Sequence, residues 1–114
     1  MSEQRVFAAV QAWKDRPSWM SDFVKSTPEE DQIMGVDAWV ETTDVGRIPI
    51  QIKSSDVSRV LFEEGSAIRG RALENRPHVV VVRPDITDEA ICRCILTGAR
   101  YLRDLRLVGE RKTA

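Results

Sequence analysis

The fold is decided by residues 35–55, which read GVDAWVETTDVGRIPIQIKSS. Apolar and polar residues alternate on both sides of a turn-like segment at 42–46, and side chains of an extended chain alternate between its two faces. The pattern predicts two antiparallel strands joined by a short loop, in which Gly46 can adopt a positive φ. One face of this hairpin is apolar and the other is polar, as expected for a sheet that covers a core on one side.

The polar face of the predicted hairpin carries residues suited to the chemistry of a site. Asp37 lies on the first strand, while Gln51 and Lys53 lie on the same face of the second. A carboxylate, a carboxamide and an ammonium group at one end of a hairpin can hold a hard cation and a phosphate. The alternative interpretation is a solvated polar face over an apolar core, because charged strand residues usually face water.

Asp37, a spacer of 13 residues and then Gln51-Ile52-Lys53 resemble the motif of the PD-(D/E)xK nuclease superfamily, which includes restriction endonucleases and Holliday-junction resolvases. The resemblance covers residues 32–84 and implies a single α/β domain with a restriction-endonuclease-like mixed β-sheet flanked by helices. It also implies a metal-dependent DNA endonuclease that uses Mg²⁺ or Mn²⁺ and has DNA as its partner.

The resemblance further implies roles for individual residues. Asp37, Gln51 and Lys53 would be catalytic: Asp37 as the principal metal ligand, Gln51 as the second side-chain ligand, and Lys53 as the ammonium group that positions or activates water. The backbone carbonyl of Ile52 would be another metal ligand. The superfamily usually has Glu or Asp where this chain has Gln51, and a carboxamide brings no charge, so weaker magnesium binding is expected. The alternative function is a catalytically inactive nuclease-fold protein that acts as a DNA-binding or regulatory subunit.

Acidic residues outside the hairpin are further candidates for the metal site. Asp31 lies six residues before Asp37, in a helical turn that begins at Thr27, where Thr27 and Glu30 have the spacing of a capping box. Glu3, in a predicted first helix at 2–14, is the second candidate. The alternative for the acids at 29–31 is compensation of the helix dipole.

Charge is unevenly distributed along the chain, although the formal net charge is −1. Residues 1–45 contain four Lys or Arg and nine Asp or Glu, whereas residues 46–114 contain thirteen and nine. The second part could therefore contact a phosphate backbone. The candidate nucleic-acid-binding residues are Ser54, Ser55, Arg69 and Arg71. The alternative is that the arginines lie on solvated helix faces.

The rest of the chain predicts the remaining elements. Residues 18–24 are ambiguous, and a short helix is one interpretation. A helical crossover is predicted at 57–68, and His78 to Val82 form a central buried strand because they are apolar on both faces, with His78 in a structural role. Thr87 caps a long helix whose apolar stripe packs on the sheet.

Length and composition indicate one ordinary soluble domain. The chain has 114 residues, of which 42% are hydrophobic and 31% charged. No apolar run approaches the length of a membrane span. Because the domain is small for an enzyme, association into a dimer is expected. Cys92 and Cys94 stand two apart in a predicted helix, where they cannot easily join, so the chain is expected in the reducing cytoplasm.

Overall fold

The computed structural model describes residues 2–54, 61, 63 and 72–113. The described elements, in chain order, are helix α1 (Ser2–Gln11), strand β1 (Met20–Lys25), a π-helical turn (Glu30–Met34), strands β2 (Ala38–Thr42) and β3 (Arg47–Lys53), a 3₁₀ turn (Leu73–Asn75), strand β4 (His78–Val81) and helix α2 (Asp88–Thr113). They form a small single-domain α/β fold. The predicted helical crossover at 57–68 lies outside the described residues except for Leu61 and Glu63.

The predicted hairpin is confirmed, and within β2 and β3 its apolar residues face the core as predicted. Ala38 pairs with Ile50 and Val40 pairs with Ile48, and all four side chains are fully buried. The turn ends at Gly46, which has a φ of 76°. The apolar face therefore belongs to the core, and the odd-numbered residues of both strands lie on the opposite face.

The four strands form one mixed sheet in the order β1-β2-β3-β4. The β1/β2 and β2/β3 pairs are antiparallel, and β3 and β4 are parallel. As a result, β1 and β3 end where β2 begins, at the same end of the sheet as the last residue of β4. The residues at this end are Lys25, Asp37, Lys53 and Val81.

The short helix considered for residues 18–24 is wrong, because this segment forms β1. Met20 pairs with Thr42 and Phe23 pairs with Val40, with a break in register between Met20 and Asp22. The break is a β-bulge, which adds one residue to one strand, so Met20 and Phe23 face the core although they are three apart. A spacing of three is also what an amphipathic helix shows, and the sequence pattern was therefore ambiguous.

The predicted strand at 78–82 forms β4, but its central position is wrong for the described part of the chain. Val79 and Val80 are buried on opposite faces, as the apolar pattern indicates. Within the described residues β4 pairs only with β3 and lies at the end of the strand order. An apolar pattern on both faces of a strand indicates that other elements cover both faces. It does not indicate whether the strand lies in the middle or at the edge of the sheet.

Helices α1 and α2 cover the apolar face of the sheet. The two helices and the sheet contribute to one buried cluster, in which Val6 of α1 and Ile91, Ile95 and Ala99 of α2 are fully buried. Thr87 caps α2 as predicted, since its Oγ1 accepts a hydrogen bond from the Ala90 N–H at 3.1 Å. Of the helices in the described ranges, none is long and apolar enough to cross a membrane.

His78 has a structural position at the start of β4, where it pairs with Ile50 of β3. Its Nε2 lies 3.0 Å from the Cys94 carbonyl oxygen of α2, and burial lowers the pKa of the imidazole. Gly98 of α2 lies against the same ring, so that a Cβ at this position would overlap the imidazole. A glycine inside this helix is therefore required by the close approach of the ring.

We expect Gly98→Ala to destabilise the protein by about 1 kcal/mol. Overpacking typically costs ~1–3 kcal/mol and outweighs the helix propensity of alanine, which favours it by ~1 kcal/mol. Urea unfolding measures the change. Gly109→Ala is the matched control, because nothing lies within 4 Å of its added Cβ, and it should leave stability unchanged or slightly higher. Equal midpoints for the two variants would contradict this account of the helix–strand contact.

Candidate active site

Asp37 lies directly before β2 and is tied to β3 by two hydrogen bonds. Its N–H donates to the Ile50 carbonyl at 2.9 Å, and its Oδ2 accepts a hydrogen bond from the Ile52 N–H at 2.7 Å. The side chain thus takes the place of a main-chain partner where β2 has not yet begun. Only 5% of the residue is exposed, so a carboxyl group is held in a fixed position at the edge of the core.

Gln51 lies on β3 between Ile50 and Ile52, the two residues whose main chains bind Asp37. The residue is 6% exposed, and within the described residues its Oε1 has no hydrogen-bond partner although the atom is buried. A buried carbonyl oxygen without a donor typically costs about 1–3 kcal/mol. An acceptor oxygen left in this state is suited to a cation.

The end of β3 presents two further groups of the predicted motif. The Lys53 carbonyl accepts a hydrogen bond from the Val82 N–H at 2.8 Å and so faces β4. The N–H of Ile52 instead faces Asp37, and the N–H and C=O of one strand residue leave on the same side, so the Ile52 carbonyl also faces Asp37. The half-buried Lys53 side chain follows that of Gln51 on the same face.

A pocket of about 390 Å³ opens beside Asp37 at this end of the sheet. Its walls come from the start of α1, the end of β1 and the turn that precedes β2. The residues that line it are Glu3, Lys25, Ser26, Thr27, Pro28, Asp31 and Asp37. Asp31 and Glu3 therefore line the same pocket as Asp37. They are the two acidic residues outside the hairpin that were predicted as further candidates for the metal site.

The predicted capping box explains why Asp31 reaches the pocket. The Thr27 N–H donates to Glu30 Oε1 at 2.8 Å, and the Glu30 N–H donates to Thr27 Oγ1 at 3.2 Å. The same bond from Thr27 is the first reason that the pKa of Glu30 is lowered. The turn ends at Gly35, whose φ of 68° is left-handed. Glu30 is thereby held against the backbone, and the next residue, Asp31, lines the pocket.

Burial and neighbouring carboxyl groups shift the ionisation of Asp37. The pKa of Asp37 is raised to about 7, first because its carboxyl group is buried, and then because the side chains of Asp31 and Glu3 interact with it. The hydrogen bond from the Ile52 N–H acts in the opposite direction. Three carboxyl groups that share one pocket disfavour the charged form of the buried one, and a bound cation would favour it.

The donor set fits a hard divalent cation such as Mg²⁺ or Mn²⁺. Carboxylate, carboxamide and carbonyl oxygens are the ligands these cations prefer, and Asp37, Gln51 and Ile52 supply one of each. The unpartnered Oε1 of Gln51 is the observation that supports the fit. Among the described residues, no group of three or more Asp, Glu, His or Cys side chains is placed so that it could hold a metal ion.

Of the four predicted nucleic-acid-binding residues, the structure describes one. Ser54 is exposed and follows Lys53 at the site end of the sheet. Ser55, Arg69 and Arg71 lie outside the described residues. Sequence reasoning missed Lys25 and Ser26, which line the pocket. No local signal marks them, because their position depends on the register between β1 and β2; the Ser26 N–H donates to the Asp37 carbonyl at 3.1 Å.

The two cysteines and the single histidine do not belong to this site. Both cysteines are free, and Cys92 is buried while Cys94 is exposed. The two cysteines lie on α2, and the Cys94 carbonyl binds His78. None of the three residues lines the pocket beside Asp37.

No family model, curated protein or solved structure matches this chain.

Proposed function

We propose that this protein is a small metal-dependent DNA endonuclease of the PD-(D/E)xK type. One observation carries the proposal: Asp37, buried and with its pKa raised to about 7, shares a pocket with Glu3 and Asp31. The neighbouring strand carries Gln51, whose buried side-chain oxygen has no partner among the described residues. Lys53 completes the group two residues after Gln51. Burying Asp37 and Gln51 is unfavourable unless a ligand compensates them, which is typical of functional sites.

The residues of this chain would have distinct roles in phosphodiester hydrolysis. Asp37 and Gln51 would hold a magnesium ion together with the Ile52 carbonyl, with Asp31 or Glu3 as a further ligand. When bound, that ion would stabilise negative charge on the phosphate. Lys53 places a positive charge near the phosphate and positions the attacking water, whose oxygen forms a bond to phosphorus as one P–O ester bond breaks.

The fold supports this proposal in a general way. The resemblance implies a single α/β domain with a mixed sheet flanked by helices, and the described chain is a single α/β domain with a mixed sheet and two helices. The topology also gathers the ends of β1 and β3 and the start of β2 at one side of the molecule, so that residues far apart in the chain can act on one phosphate.

We expect Gln51→Glu to raise the affinity for magnesium and to keep or increase cleavage activity. The change restores a charged ligand with almost no change in volume, and charge strengthens the binding of hard cations. The measurement is a titration of Mg²⁺ and Mn²⁺ in a cleavage assay with supercoiled plasmid, linear duplex and branched DNA. The half-saturating Mg²⁺ concentration should fall by about ten-fold, equivalent to ~1.4 kcal/mol.

Gln11→Glu is the matched control for this experiment. It makes the same chemical change at an exposed residue at the far end of α1, about 12 Å along the helix from Glu3. It should leave the metal dependence unchanged. If neither the wild type nor Gln51→Glu cuts any of the DNA forms with either metal, the endonuclease proposal is wrong.

The rival proposal is a nuclease-fold protein that binds DNA without cutting it. Two observations favour it: Gln51 lacks the usual charge, and among the described residues no group of three or more Asp, Glu, His or Cys side chains is placed so that it could hold a metal ion. DNA binding by such a protein should weaken steeply with salt, because Lys and Arg contacts release counterions from the phosphates. Binding that is salt-dependent, without cleavage in any metal, would favour the rival; no binding at low salt would remove both.

A further inference from the structure

We propose that Lys25 binds a phosphate of the DNA strand next to the scissile phosphate, on the opposite side of Asp37 from Lys53. This inference rests on the proposed function and adds a substrate-positioning residue that the motif does not include. It also specifies the substrate class, because a neighbouring phosphate exists only in a polynucleotide.

The position of Lys25 follows from the order of the strands. Lys25 is the last residue of β1 and pairs with Ala38, the residue after Asp37. Lys53 is the last residue of β3, on the other side of β2. Lys25 is level with Ala38 and Ile50, whereas Lys53 lies three residues further along β3. With about 4.8 Å between adjacent strands and about 3.3 Å per residue along a strand, the two backbones are roughly 14 Å apart, and the two side chains leave opposite faces of the sheet.

The side chain of Lys25 is available at the rim of the pocket. The β-bulge in β1 sets Lys25 on the same face as Phe23, towards α1, and the residue lines the pocket together with Glu3 and Asp31. Lys25 is exposed, and within the described residues it forms no ion pair with these carboxyl groups. Its ammonium group can therefore bind an anion from solution.

The charge of the pocket gives Lys25 a role. Three carboxyl groups line the pocket, and a polyanion that approaches them is repelled unless cations lie on its path. A cation at the centre of the site compensates the scissile phosphate alone. The next phosphate along the strand must pass the rim, where Lys25 is the basic residue that lines the pocket.

The test compares Lys25→Gln with Lys25→Arg and with Lys14→Gln, an exposed lysine beyond the far end of α1. Each variant is assayed on the DNA that the wild type cuts best and on bis(p-nitrophenyl) phosphate, a phosphodiester without a neighbouring phosphate. Lys25→Gln should raise the KM for DNA about ten-fold, leave kcat within about two-fold, and lower the slope of log KM against log salt by about 1. Hydrolysis of bis(p-nitrophenyl) phosphate should not change.

Lys25→Arg keeps the charge and should stay near the wild type, as should Lys14→Gln. Equal KM values for Lys25→Gln and Lys14→Gln in an active enzyme would overturn the inference alone. An equal loss on both substrates would also overturn it, since Lys25 would then act at the scissile phosphate or on folding.

A charged residue on an edge strand can also prevent association. If the Lys25→Gln protein aggregates in light scattering, Lys25 has that role instead. A wild type that cuts neither substrate would remove the proposed function, and this inference with it.

Discussion

Asp37→Asn should stabilise the protein at pH 8 and abolish cleavage. The carboxyl group of Asp37 is buried, and its pKa is raised to about 7, so at pH 8 the folded protein holds a buried charge near two other acids. Asparagine has the same shape without the charge, and its Oδ1 can still accept the hydrogen bond from the Ile52 N–H. We expect the free energy of unfolding to rise by on the order of 3 kcal/mol and cleavage to fall by at least about a thousand-fold.

The direction of the pH dependence follows from the raised pKa. Between the ordinary pKa of an aspartate and about 7, the folded protein keeps a proton that the unfolded chain has lost. The contribution of Asp37 to stability is therefore fully present below about pH 4 and is lost as the pH rises to about 7. Wild-type stability should decline across this range relative to Asp37→Asn, as measured by urea unfolding at several pH values.

Asp15→Asn is the control for this prediction, because Asp15 is exposed and lies in the loop that follows α1. It should change neither stability nor cleavage. If Asp37→Asn is less stable than the wild type at pH 8, the charge of Asp37 stabilises the fold. The interpretation of Asp37 as an unfavourable buried charge is then wrong. If the variant still cuts DNA, Asp37 is not a metal ligand.

Lys53→Met should reduce cleavage by two orders of magnitude or more while metal binding is kept. Removing a preorganised charge near a reacting phosphate typically costs about 3 kcal/mol. Methionine keeps much of the alkyl chain, and the main-chain bond from the Val82 N–H to the Lys53 carbonyl does not depend on the side chain. Single-turnover cleavage rates measure the loss, and Mn²⁺-dependent melting shows whether the metal still binds.

Lys14→Met gives the same chemical change away from the site and should cleave like the wild type. A Lys53→Met protein with an unchanged single-turnover rate would show that Lys53 has no part in the chemical step. A protein that has lost both cleavage and metal-dependent stabilisation would point to local unfolding at the end of β3.

The hairpin was predictable from the sequence because its information is local. Strict alternation across 36–41 and 47–53 determines which side chains face the core, and a one-residue slip would expose every isoleucine of β3. The capping groups Thr27 and Thr87 were predictable for the same reason, since each acts within one helical turn.

The errors arose where the fold depends on distant contacts. The bulge in β1 gives Met20 and Phe23 a helical spacing, and only pairing with β2 shows that they belong to a strand. The outer position of β4 depends on the strand order, which no residue of β4 encodes. Both cases show local patterns that are compatible with two structures and are decided by tertiary pairing.

The candidate site was predictable in its members and less so in its arrangement. Asp31 and Glu3 could be nominated as acidic residues, but the pocket that joins them to Asp37 depends on the π-helical turn and on how α1 lies against the sheet. Lys25 carried no signal at all, since a lysine at the end of an edge strand is ordinary. Its interest comes only from the residues that the topology brings next to it.

The central claim is that the pocket beside Asp37 binds a divalent cation, and thermal melting with Mn²⁺ at pH 8 tests it most directly. The wild type should melt about 5 °C higher in 10 mM Mn²⁺ than without metal, because a ligand that binds only the folded state stabilises it. Asp37→Asn should start from a higher melting temperature and show no shift. An unchanged wild type, or equal shifts in both proteins, would contradict the assignment of this pocket as a metal site.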